Sequence, residues 1–93
     1  MEAEKRKPAR GWRRVSPTLW SKKIHVDLVL SVQRYGPQEG VSEFLWDSTM
    51  AAFGSYRRCG TPAGSREEAQ LAAEDAAIKL AHAIIKRLGR EER

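Results

Sequence analysis

The sequence predicts an α+β domain: an antiparallel sheet of about three strands packed on one long C-terminal helix, behind a disordered basic N-terminal arm. Three observations predict it. Apolar residues alternate with polar ones between residues 24 and 33, the pattern of a strand with one buried face. Glycine and proline punctuate short apolar runs after it. A capped, alanine-rich segment then runs from 65 to 88 without a helix breaker. Ninety-three residues fit one small domain, divided here into an arm, residues 1–15, and a folded unit, residues 16–93.

The arm carries most of the charge. The chain's net charge is +5, and residues 1–23 hold eight Lys/Arg against Glu2 and Glu4, which leaves the remaining residues at −1. Pro8, Gly11 and scarce apolar material read as a flexible segment, with Trp12 able to tack its end to the core. Such arms contact phosphates or an acidic partner, or serve as solvated tails. No apolar run is long enough for a membrane span and the N-terminus lacks a secretory signal's apolar stretch, so a cytoplasmic protein is expected. Cys59 is the single cysteine. It reads as a small half-buried residue or as a thiol activated by Arg57 and Arg58.

In "KKIHVDLVLSVQRYG", Ile24, Val26, Leu28, Leu30 and Val32 fall at every second position. Alternation and β-branching favour one strand. A helix started by Ser16-Pro17, with Trp20, Ile24, Leu28, Val32 and Tyr35 as its stripe, is the rival. Gly36, Pro37 and Gly40 mark a loop. "VSEFLWDS" reads as a second strand, Asp47-Ser48-Thr49 as a turn, and "MAAFGSYRRC" as a third strand with a bulge at Gly54.

The helix has its signals in place. Ser65 and Glu68 form a capping box, Glu67 and Glu68 sit near the positive end of the dipole, Lys86, Arg87 and Arg90 near the negative end, and Gly89 ends it. At 1.5 Å per residue it spans roughly 36 Å, against about 20 Å for a six-residue strand, so it should overhang the sheet. Ala69, Ala73, Ala76, Leu80 and Ala83 form one side, flanked by Ala72 and Ile84, suited to close approach to the sheet. Leu71, Ile78 and Ile85, seven apart, form a second apolar side with Ala81 and Leu88 beside it. One sheet cannot cover both. The cover is Leu19 and Trp20, or a helix from residues 17–23, or a second copy of the chain, or a foreign partner.

Catalytic patterns are not found. His25 and His82 have no partner at metal-ligand spacing, no phosphate-cradling glycine loop or nucleophile motif is present, Glu67-Glu68 serves the helix start and Glu74-Asp75 falls on a solvated face. No enzyme, metal or cofactor is therefore expected. Aromatic residues interleaved with cations are the stronger signal: Trp12 among Arg10, Arg13 and Arg14, Trp20 before Lys22 and Lys23, and Tyr56 before Arg57 and Arg58. Such pairs stack on bases while neutralising phosphates, or else bury their rings and leave the cations at the edge.

The stretch "GTPAGSREEAQLAAEDAA" resembles the closing segment of small three-strand-plus-helix DNA-binding domains of the integrase-arm and AP2 type, and the last helix of double-stranded RNA-binding domains. The resemblance covers about eighteen residues. It implies a sheet-plus-helix nucleic-acid-binding fold. Where the RNA-binding family places lysines, this chain has Arg66, Glu67 and Glu68, and the outward positions His25, Asp27, Ser31 and Gln33 replace the Arg and Trp of the sheet readers. No functional residue is carried over from either family.

Two functions follow as expectations. The first is a non-enzymatic, nucleic-acid-associated module, tolerant of sequence, with Lys5, Arg6, Lys7, Arg10, Arg13 and Arg14 on phosphates and Lys22, Lys23, Tyr56, Arg57 and Arg58 extending the patch. The second is an adaptor or inhibitor of the phage or mobile-element type, binding an acidic protein or a second copy through Trp46, Leu71, Ile78 and Ile85.

Overall fold

A computed structural model describes residues 7–36 and 44–89. The strands are β1 (Arg13–Ser16), β2 (Leu19–His25), β3 (Leu28–Tyr35), β4 (Leu45–Ala52) and β5 (Ser55–Arg58), followed by helix α1 (Arg66–Leu88). The strands form one antiparallel sheet in chain order, β1-β2-β3-β4-β5. The expected class is present. The number of strands is five instead of about three, and the helical alternative for residues 17–35 does not occur.

The additional strands come from turns that alternation conceals. The apolar run is divided by a tight turn at Val26-Asp27. A two-residue turn by itself would pair odd positions with even ones. Here the register shifts between Lys23 and His25. The extra residue of that bulge restores parity, so Trp20 faces Val32 and Lys22 faces Leu30, and alternation continues across the turn. Asp47-Ser48-Thr49, expected as a turn, lies inside β4. The turn comes at Phe53-Gly54, with φ of 50° and 85°, the positive values a two-residue hairpin requires. The bulge expected at Gly54 is that turn. Val41, Pro37 and Gly40 lie outside the described residues.

The helix lies on β3 and β4. Leu30, Met50 and Ala52 pack with Cys59 against Ala73 and Ala77, and Val32 and Ala69 are fully buried as well. Alanine brings the helix backbone close, so the sheet supplies the bulk. Leu28, Ala76, Leu80 and Trp12 close the edges of this core. Ile24 and Val26, expected inside with Leu28, Leu30 and Val32, are largely exposed at the β2–β3 turn.

The helix begins and ends as its sequence implies. The Ser65 side chain accepts from the Glu68 amide, and Gly89 takes the left-handed conformation with its N–H bonded to the Lys86 carbonyl. Before it, Ala63 and Trp46 exchange two backbone hydrogen bonds of 2.8 Å, which anchor the approach to α1 on β4. The Arg66 guanidinium lies 4.2 Å over the Trp20 ring at the same end.

The end of the arm is part of the fold. Residues 13–15, expected to be flexible, belong to β1, where Arg13 and Arg14 pair with β2 and Val15 sits at a register shift. Ahead of them, Glu74 gathers three donors on one carboxylate oxygen: the Ala9 amide at 2.9 Å, Trp12 Nε1 at 2.8 Å and Lys22 Nζ at 3.4 Å. Glu74 was expected on a solvated face. Its side chain is instead 14% exposed, because the segment before β1 crosses over it. Trp12 does tack the arm to the core.

Candidate nucleic-acid interface

Antiparallel pairing assigns every strand residue to one of two faces. The helix covers the face of Leu30, Val32, Ser48 and Met50. Among the described residues no element covers the other face. There the register lines up one residue from each strand: Arg13 opposite Ser21, Ser21 opposite Ser31, Ser31 opposite Thr49 and Thr49 opposite Arg58. This row crosses the whole sheet. With neighbouring strands about 4.8 Å apart it spans roughly 19 Å. A cation stands at each end and three hydroxyls lie between them.

The adjoining row is Lys23, Val29, Ala51 and Tyr56. Its centre is small, and its ends are a cation and a ring that is 74% exposed. The row on the other side holds Leu19, Gln33 and Asp47. Arg13, Arg14, Val15, Ser21, Lys23 and Val29 line a shallow hollow at the β1–β2 edge. That lining contains no acid. At the far edge, Arg58 Nη2 lies 3.3 Å from Asp47 Oδ2, while Arg58 stays 66% exposed at its side chain. One carboxylate thus tethers one of the three cations on this face.

The expected site residues divide between surfaces. Arg13, Lys23, Tyr56 and Arg58 share the bare face; Arg14, opposite Trp20, falls by register on the helix side and only borders the hollow at the β1–β2 edge. Lys22 does not join them: it faces the helix, pairs with Glu74 and is 16% exposed at its side chain. Adjacent strand residues point to opposite faces, so Lys22 and Lys23 cannot act together. The same rule separates Arg57 from Arg58. Arg57 sits opposite Met50 and lines a hollow against the helix with Cys59, Ala76, Lys79 and Leu80. Lys7 and Arg10 are exposed on the segment tied to Glu74. Lys5 and Arg6 lie outside the described residues. Sequence reasoning missed Ser21 and Thr49, whose only signal is their place in the register.

The expected partner surface is divided too. Trp46 is half-buried and bridged to Ala63 beside the start of α1, and Leu71 is half-buried on the first turns. Neither reaches Ile78 and Ile85, which are exposed farther along the helix. Cys59 is buried, and burial pushes its thiol above the ordinary value, with Arg57 opposing and Asp47 adding a smaller push. A protonated, enclosed thiol is a poor nucleophile, so the small core residue describes Cys59 better than the activated thiol.

Among the described residues no helix is long and apolar enough to cross a membrane. The family models, the curated proteins and the solved structures contain no match to this chain.

Proposed function

We propose that the chain is a nucleic-acid-binding module that receives a phosphate backbone across the bare face of its sheet. The observation that carries this reading is the cross-strand row Arg13, Ser21, Ser31, Thr49 and Arg58. Arg13, Lys23 and Arg58 supply charge to phosphates, and the three hydroxyls donate hydrogen bonds along the trough between them. Such groups position a backbone and carry little base information, which favours binding that tolerates sequence. Tyr56 offers a ring to an unpaired base at the edge of the trough.

Binding of labelled single-stranded and duplex oligonucleotides by Arg13→Ala, Lys23→Ala and Arg58→Ala tests the reading. Each variant should weaken binding several-fold for all sequences, and should lower the salt slope by about one. Lys22→Ala, on the opposite face, should leave the slope unchanged. Wild-type affinity in all three face variants would rule this function out.

A further inference from the structure

Helix α1 outlasts its sheet. Every residue from Ala81 to Gly89 is exposed. The side chains left in water include Ile78, Ile84, Ile85 and Leu88, which are 53%, 38%, 48% and 67% exposed. Ile78, Ala81, Ile85 and Leu88 step by three, four and three residues, the spacing of a seam between two helices. Lys79, Lys86 and Arg87 fall off that seam.

Beside it, the helix, the β2–β3 hairpin and the segment before β1 enclose a groove whose apolar lining is Ala9, Ile24, Leu28, Ala77, Ile78 and Ala81, with Lys22 and Glu74 completing it. Its three alanines leave room for a large side chain.

We propose that a second copy of this chain covers this surface, with the two overhanging helices antiparallel about a two-fold axis. Each copy carries a ridge, Ile85 and Leu88, and a groove to receive it, on the same helix face. Reversing one helix against the other sets Leu88 of one copy beside Ile78 of the other, and Ile85 beside Ala81. The contact then occurs twice, identically, as a two-fold interface demands. The exposed area is also sufficient. Ile24, Ile78, Ile84, Ile85 and Leu88 each offer on the order of 100 Å² of apolar surface. Together they approach the apolar share of a standard interface, roughly 500 Å² per partner. The bare sheet face lies on the far side of the sheet from the helix, so pairing leaves it open in both copies.

Light scattering on the full chain should give twice the 10.5 kDa of one chain. The double variant Ile85→Glu, Leu88→Glu should give the single-chain mass with an unchanged circular dichroism spectrum, because both side chains are exposed in one copy. Orientation has its own test in a Cys59→Ser background. A mixture of Ala81→Cys and Ile85→Cys chains should cross-link under mild oxidation, more than either variant alone. A single-chain mass for the wild-type protein at its highest soluble concentration would overturn the proposal, whether or not the double variant folds. So would assemblies larger than two, a double variant that keeps the doubled mass, or Ile85→Cys chains that cross-link best to themselves. A wild-type chain that stays single until a different protein binds the ridge would also overturn it.

Discussion

Phe53 is the residue whose conformation conflicts most with its chemistry. It is the one non-glycine with positive φ among the described residues, at 50°, and its ring is 59% exposed. A left-handed conformation costs an L-residue about 1–2 kcal/mol, and asparagine tolerates it better than a bulky side chain. With more than half of the residue in water, burial offsets little of that cost. Phe53→Asn should therefore stabilise the chain by roughly 1 kcal/mol, read as a higher thermal midpoint. An unchanged or lower midpoint would show that the exposed ring contributes more than its backbone costs. Ser21 and Thr49 illustrate the opposite case at this scale. Nothing about them is unusual locally, and their interest lies in what stands opposite them.

Among the elements, the segment before β1 depends on one side chain of α1. Glu74 Oε2 meets a backbone amide, an indole and an ammonium from three places in the chain. Hydrogen bonds to an ionised group are stronger than neutral ones, and removing the acceptor leaves part-buried donors unpaired. Glu74→Ala should cost about 2 kcal/mol and should abolish protection of the Ala9 amide in hydrogen exchange while amides at the centre of β3 stay protected. Equal protection in the variant would mean that packing of Trp12 holds the segment alone. The helix itself is legible in the sequence in its Ser65 cap, its Gly89 stop and its overhang, which one element displays alone. Its sheet-facing side is only partly so, since Ala69 and Ala73 are buried as expected but Ala83 and Ile84 are exposed past the sheet, and Gln70 and Ala77, outside the expected side, are buried. The strands were less so. A two-residue turn and a one-residue bulge cancel in parity, so the end of β2 and the start of β3 keep one spacing of apolar residues, Ile24 to Val32, and their boundary is invisible to a test based on period.

For the whole molecule, the two proposed surfaces differ in their physics and so in their response to salt. The sheet face combines Arg13, Lys23 and Arg58 with a polyanion, and binding there releases counterions. The helix seam carries no charged residue, and apolar burial is not weakened by moderate salt. Raising salt from low to moderate concentration should reduce oligonucleotide affinity steeply while the mass measured by light scattering stays constant. Parallel loss of both would mean that binding and pairing are the same event. The basic patch was legible from sequence only as a set of cations. Its partition was not, since Lys22 and Lys23, like Arg57 and Arg58, are neighbours in sequence and point to opposite sides of the sheet.

From the residues alone came the α+β class, the capped helix, its excess apolar circumference and the positive charge near the N-terminus, because periodicity, capping and charge count are properties of short stretches. Folding settled which of those cations share a surface, that Glu74 is a structural hub, that residues 17–23 are a turn and a strand and not a helix over the isoleucine ridge, and that three hydroxyls line up between two arginines. The reason is that register joins residues distant in sequence, and a shift of one residue anywhere in the ladder moves every side chain beyond it to the other face.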